Sequence, residues 1–318
     1  MSSAYMERAS TIVEPIPPYD FVRTANYATY FKGRYGADVF EDGAFRRLLD
    51  IGGSPVLASV RSTGTVAAPG LTVELAAEAL DAATVAAARR QIAWLLGTDE
   101  DLSSFYRMAR AEPSLAPLVQ QFYGLHIPRS PSVYEGLILA ILGQQISSHV
   151  ARILRTLLIE SYGPRLEVDG VTYHAFPPPR TLAEVGPAGL RAVKCGAAKS
   201  AYIADIAARV ASGELDLEGL RSLQDEEVVR TLTAIRGVGP WTAQWLFIRS
   251  LGHPDGFPHL DLALQRSLGL LVNGGVPMSA AQALEWSRRW SPHRSYVTTY
   301  LFAASRSGVL AVLTGAGS

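Results

Sequence analysis

The chain has a single cysteine, Cys195, in 318 residues. One thiol excludes an intrachain disulfide and a cysteine-ligated iron–sulfur cluster, which draws on several thiolates. Long apolar runs are missing too. The longest, Leu137–Leu142, falls far short of the ~20 residues that cross a bilayer. Met1–Ser10 is polar and lacks the apolar centre of a signal peptide. The expectation is a soluble, intracellular protein. Neither charge is in excess: Lys and Arg number 29, as do Asp and Glu, for a formal net charge of zero. This excludes a protein that coats polyanions by bulk attraction. A phosphate-rich partner would be met through a few placed contacts, with a shallow salt dependence. The balance is slightly tilted along the chain. Up to residue 128 there are 11 Lys and Arg against 14 Asp and Glu, a net of −3; beyond it the numbers are 18 and 15, a net of +3. The C-terminal part is therefore the side expected to meet phosphate.

The length allows two or three domains and a sizeable core. Residues 1–15 read as a disordered N-terminus. Residues 16–115 read as an α+β domain with a small antiparallel sheet. A short helix over 20–31 precedes strands over 45–51, 55–61 and 66–75, with Gly52-Gly53 and Ser62-Thr63-Gly64 as turns. An alanine-rich helix follows over 81–96, and helices of this kind cover one face of such a sheet. Residues 116–318 read as all-α, with no strand expected beyond about Leu115. The clearest helices are 132–142 and 146–160, the second with Ile146, Val150, Ile153, Leu154, Leu157 and Leu158 at helical spacing. A loop over 162–180, rich in Gly, Pro and aromatics, comes next. Short helices over 181–186, 188–194 and 197–212 follow it, and others near 279–290 and 293–307.

The most informative stretch is 232–266. Val228, Leu232 and Ile235 repeat at helical spacing, with Asp225 as the expected N-cap. Gly237 falls at the C′ position, where positive φ costs least. Gly239 and Pro240 restart the chain, with Pro240 at the first helical position. The result is a helical hairpin spanning about 226–251 that leaves backbone N–H groups free at a helix N-terminus, a geometry that binds phosphate oxygens. By itself such a turn also serves simply to pack two helices. Phe257-Pro258-His259-Leu260-Asp261-Leu262 follows and places a carboxylate at the start of the next helix, where the macrodipole suits a negative charge.

Hairpin and aspartate together resemble the helix-hairpin-helix DNA glycosylases. Ile141-Leu142-Gly143-Gln144-Gln145-Ile146-Ser147 resembles the segment that opens the central helical domain of the alkylation-repair type, the 3-methyladenine DNA glycosylases. Pro292-His293-Arg294-Ser295-Tyr296 and Tyr300-Leu301-Phe302 resemble that type's last helix, and Pro17-Pro18-Tyr19-Asp20 the start of its N-terminal domain. The resemblance implies an N-terminal sheet domain, all-α glycosylase domains, damaged double-stranded DNA as partner, and a monomer. It implies no required cofactor, although a monovalent cation at the hairpin carbonyls is one option it carries.

The same resemblance assigns roles. Breaking an N-glycosidic bond builds positive charge on the sugar; Asp261 would face that charge and orient or deprotonate water. Trp241 and Trp245, one helical turn apart, would with Phe302 line the pocket for the flipped base, and Tyr27 and Tyr296 are weaker pocket candidates. Electron-poor, cationic bases are drawn to such π-faces; the alternative for all these rings is plain core packing. Gln144, Gln145 and Ser147 would form the corner that enters the duplex, unless they only cap a helix. Gly237, Gly239 and Thr242 would meet the phosphates. The position two residues after Gly239, where strand-nicking relatives carry a Schiff-base lysine, is Trp241; the nearest lysines, Lys194 and Lys199, lie outside the motif. That points to hydrolysis alone. His253, Asp255 and His259 lie close to Asp261 in sequence, but their spacing fits no compact metal motif. Two other readings stay open: a glycosylase for an oxidised or deaminated purine, and a non-catalytic DNA-binding module.

Overall fold

The computed structural model describes residues 6–315. The N-terminal part is built from β1 (Glu7–Val13), α1 (Phe21–Ala28), β2 (Arg34–Tyr35), β3 (Asp38–Glu41), β4 (Ala44–Ile51), β5 (Ser54–Ser62), β6 (Leu71–Ala77) and α2 (Ala82–Leu95). The strands form one sheet in the order β1-β6-β5-β4-β3-β2, with every neighbouring pair antiparallel. Gly52 and Gly53, at φ +63° and +89°, make the two-residue turn between β4 and β5. Both central positions of that tight turn require positive φ, which glycine adopts without strain. Asp20 and Asp81 cap α1 and α2 by accepting from the N–H groups of Arg23 and Thr84.

The sheet is larger than the three strands expected from sequence. Residues 7–13, within the expected disordered terminus, form β1 and pair along their length with β6; Met1–Tyr5 lie outside the described residues. The expected strand over 66–75 starts later, because Thr63–Gly70 closes on itself through Thr63 N to Gly70 O and Thr65 N to Ala68 O.

The rest is helical, with one exception. In order come α3 (Ser103–Ala111), α4 (Ala116–Gln121), α5 (Val133–Gly143), α6 (Ser148–Tyr162), β7 (Arg165–Val168), β8 (Val171–His174), α7 (Pro179–Ala192), α8 (Ala197–Ala211), α9 (Asp225–Thr233), α10 (Pro240–Leu246), α11 (Leu262–Val272), α12 (Ala280–Ser287), α13 (Arg294–Arg306) and α14 (Val309–Thr314). The exception corrects the all-α expectation: β7 and β8 form a hairpin inside the stretch read as loop. Leu166, Val168 and Ala175 from this region cover Leu48, Leu57 and Ala76 on the sheet, and Arg8 pairs with Asp169 at the rim. Helix α7 breaks at Gly186, φ +62°, followed by Pro187, so the two short helices expected there are two halves of one kinked element.

Besides the small cluster under β7 and β8, three larger cores lie among the described residues. The first lies between the sheet and α1 and α2, the second among α5 to α10. The third joins α3 and α4 to the C-terminal helices and begins at Leu102, and Tyr27 of α1 enters it. A buried ion pair ties the parts together: Arg47 of β4 donates to Asp38 at 2.6 Å and to Glu135 of α5 at 2.5 Å. Burial pushes the Glu135 carboxyl up, and Arg47 opposes that rise.

Candidate active site

The helical hairpin folds as its glycines dictate. Gly237 takes φ +88°, and a Cβ there would meet the Tyr202 ring at 2.3 Å. Gly239 is different. Its φ is −109°, it is the N-cap of α10 with no side-chain cap, and a Cβ there would meet nothing within 4 Å. The fold does not need this glycine; its bareness leaves room for something approaching the turn from outside. Helix α10 runs on through a π-helical turn at Phe247–Leu251 to Gly252, φ +72°. Asp225 sits in the first turn of α9 and is not its cap, which is Gln224. The Asp225 carboxylate instead faces His253 Nδ1 at 2.8 Å.

The loop from Gly252 to Asp261 is pinned from two sides. Arg294 of α13 grips Asp255 through Nε at 2.8 Å and Nη2 at 2.7 Å, and Ser291 adds a third hydrogen bond. Burial raises the Asp255 carboxyl, but those bonds outweigh it and leave it below the usual range. Ser295 Oγ donates to His253 O and accepts from Gly256 N. From α10, Gln244 Oε1 accepts from Phe257 N at 2.7 Å. The loop delivers Asp261 to the N-cap of α11, where Oδ1 accepts from the N–H groups of Ala263 at 2.8 Å and Leu264 at 3.1 Å. Trp241 Nε1 donates to the other oxygen, Oδ2, at 3.0 Å. The carboxylate is half-buried and oriented by α10 and α11.

An aromatic ladder continues from Trp241. Its ring stands edge-on to Trp245 with centroids 6.1 Å apart, and Trp245 lies 5.3 Å from Phe302 of α13. One turn further along α13, the Arg306 guanidinium is 5.0 Å from the Phe302 centroid. Two donors in this ladder are buried without a partner, Trp245 Nε1 and Arg306 Nη1.

The structure gathers Asp261, Trp241, Trp245 and Phe302 as the sequence expects. Tyr27 lies nearby, beneath Arg306 at 5.1 Å and Arg249 at 5.6 Å. Tyr296 does not join them. It lies on the other face of α13, packed 5.2 Å from Phe105 with its hydroxyl on Glu100, because positions 296 and 302 are nearly two turns apart and point differently. Gln144 and Thr242 are corrections too. Gln144 ends α5 instead of opening a helix, and its amide turns inward to Gly237 O at 2.9 Å and to the buried Thr242 Oγ1 at 3.1 Å. Both brace the hairpin. Gln145 stays exposed at φ +55°, and exposed Ser147 caps α6. Lys199 Nζ holds this corner by donating to Leu142 O and Gln144 O.

Of the residues weighed for a metal, His253 and Asp255 have the partners given above, and His259 Nδ1 lies 3.4 Å from Phe257 O. Among the described residues no cluster of His, Cys, Asp and Glu is arranged to hold a metal. The sequence does not single out Gln244, Arg294 and Ser295 as braces of the loop, nor Arg306 at the end of the aromatic ladder. The motif containing Arg294 was visible, but its task was not.

No family model matches the chain. Direct comparison does find relatives. A DNA-3-methyladenine glycosylase of Bacillus subtilis is 38% identical over 204 residues, spanning 64% of this chain and 67% of that protein. The chain belongs to the helix-hairpin-helix DNA glycosylase superfamily. The superfamily fold extends over nearly the whole chain. A 3-methyladenine DNA glycosylase from Archaeoglobus fulgidus superposes with a TM-score of 0.82 at 27% identity, covering 93% of this chain and 98% of that one. A 3-methyladenine DNA glycosylase from Schizosaccharomyces pombe, solved in complex with abasic DNA, matches with a TM-score of 0.55 at 25% identity. That match covers 63% of this chain and 95% of the other. Among the described residues of this glycosylase-family chain, no helix is long and apolar enough to cross a membrane.

Proposed function

We propose that this chain is a monofunctional DNA glycosylase that flips alkylated bases of the 3-methyladenine and 7-methylguanine type out of duplex DNA and hydrolyses their N-glycosidic bonds. The observation that carries this reading is the Asp261 carboxylate, fixed by two backbone N–H groups and the Trp241 indole at the foot of the aromatic ladder. A pure DNA-binding hairpin needs neither. As the bond from C1′ to the base nitrogen breaks, its electron pair leaves with the base and positive charge spreads over the sugar. Asp261 stabilises that charge and orients the water whose oxygen bonds to C1′. The base stacks along Trp245 and Phe302, where a cationic ring gains a π-cation term of about 0.5–2 kcal/mol.

The hairpin turn at Gly237–Gly239 meets the phosphates, and exposed Gln145 enters the duplex. Phosphate contacts set position without reading sequence. No cofactor is needed. A monovalent cation would use the second lone pairs of the Ile235 and Gly237 carbonyls, whose first partners are Val238 N and Gln144 Nε2; its contribution would be to offset phosphate charge.

Trp241 stands at the Schiff-base position and spends its N–H on Asp261, so the product is an abasic site in an unbroken strand. The experiment is to incubate the purified protein with methylated duplex DNA, identify the released bases, and attempt borohydride trapping. Released methylpurines, a strand broken only by later alkali, and no trapped adduct are expected. A covalent protein–DNA adduct would contradict the hydrolytic reading.

A further inference from the structure

Arg306 is an unusual wall for a pocket meant for cations. Its Nη1 is buried without a partner, and it forms no ion pair with a carboxylate among the described residues. The groups that support its charge against burial are the phenols of Tyr30, Tyr27 and Tyr35. Its guanidinium lies 3.9 Å from the Tyr30 ring centroid, the closest of its ring contacts. Behind Tyr30, Tyr35 stacks at 3.8 Å with planes 13° apart, and Arg155 of α6 sits 4.6 Å from Tyr35. The backbone is bent to achieve this. Tyr30 and Phe31 are consecutive non-glycine residues at φ +54° and +57°, a strained conformation of the kind that clusters at functional sites. An uncompensated guanidinium one turn from Phe302 repels a cationic base stacked there.

We propose that Tyr30 sets the charge selectivity of the base pocket: its phenolate cancels the charge of Arg306 and admits cationic lesion bases, whereas its phenol leaves that charge standing and favours neutral ones. This rests on the glycosylase reading above. The groups that face Tyr30 and Arg306 are Arg155 from α6, Arg249 from the π-helical turn, Tyr35 from β2 and Tyr27 from α1, the helix that ends just before Tyr30. Burial opposes ionisation of Tyr30, but the three guanidiniums and the Tyr35 hydroxyl outweigh it and bring the phenol down to about 7. Tyr35 behaves oppositely, its phenol pushed up by burial and by Tyr30. The sign follows: compensation is present above about pH 7 and is lost as pH falls through it.

The test has two readouts. First, the near-ultraviolet phenolate absorbance of the intact protein is titrated. One tyrosine should ionise near pH 7 in the wild type and none in Tyr30→Phe. Second, excision of cationic 3-methyladenine and of neutral hypoxanthine from duplex DNA is timed between about pH 6 and 8. The ratio should rise about tenfold with pH in the wild type and stay level in Tyr30→Phe. The wild-type titration needs no variant, so a poorly folding Tyr30→Phe does not shelter the idea. Wild-type tyrosines that all ionise near the ordinary value of about 10 would overturn it. So would a ratio that changes with pH alike in both proteins, or one level in both while each base is released. Release of neither base would overturn the glycosylase reading and this selectivity with it.

Discussion

Helix α13 carries two aromatic clusters on opposite faces, and they differ in one respect. On the first face the tyrosine hydroxyls are satisfied. Tyr106 and Tyr300 share a hydrogen bond at 2.9 Å, Tyr300 donates to Leu125 O, Tyr106 accepts from Gly124 N, and Tyr296 reaches Glu100. Burial pushes the Tyr296 and Tyr300 phenols well up, so they stay neutral. On the second face, toward Asp261, the rings of Trp245 and Phe302 are largely buried, but Trp245 Nε1 and Arg306 Nη1 have no partner. Both faces are rich in buried rings.

Substitutions on each face sharpen that contrast. The largest effect is expected from Asp261→Asn, which keeps the cap shape but cannot stabilise a cationic sugar. Single-turnover base release should fall about a thousandfold while duplex affinity holds; near-normal release would remove Asp261 from the mechanism. Next is Trp245→Leu on the open face. Release of cationic methylpurines should drop roughly two- to thirtyfold in kcat/KM, with a smaller loss on hypoxanthine. Equal losses would reduce the ring to shape alone, and a lowered melting temperature would move it to the core.

Gly239→Ala tests the turn that feeds the open face. A Cβ there meets no protein atom, so the fold should hold while affinity for damaged and undamaged duplex falls severalfold, on the order of one lost phosphate contact. A changed base preference with intact affinity would make the turn a pocket wall instead. The smallest effect on catalysis is expected on the closed face. Tyr300→Phe should cost about 1–2 kcal/mol of unfolding free energy and leave base release per folded molecule unchanged. If release falls while stability holds, the two faces are not functionally distinct.

The sequence reveals one side of this contrast better than the other. Asp261, Trp241, Trp245 and Phe302 stand in motifs that resemble those of the glycosylase family. Arg306 and Tyr30 do not, because 276 positions separate them and an arginine in the last turn of a helix reads as solvated. The glycine turn at 52–53 and the helix end at Gly237 are legible, since positive φ leaves glycine as the plain solution. β1 is hidden by its composition: Ile12 is 60% exposed and Val13 is the only fully buried residue of the strand, so no apolar alternation announces it. β7 and β8 are hidden by brevity and by the Gly- and Pro-rich run around them. Gln144 misleads for a different reason. A polar residue at a corner reads as outward-facing, whereas here two hairpin oxygens draw its amide inward.

The β7–β8 hairpin has a consequence for how the protein is made. Its Leu166 and Val168 cover Leu48, Leu57 and Ala76 on the back of the sheet, yet Arg165 follows Ala77, the last residue of that sheet, by 88 positions. At the roughly 5–20 residues per second of ribosomal synthesis, the sheet can be complete for about 4–20 s before its cover leaves the ribosome. During that interval a nascent chain displays a small apolar face that no later picture of the finished protein reveals.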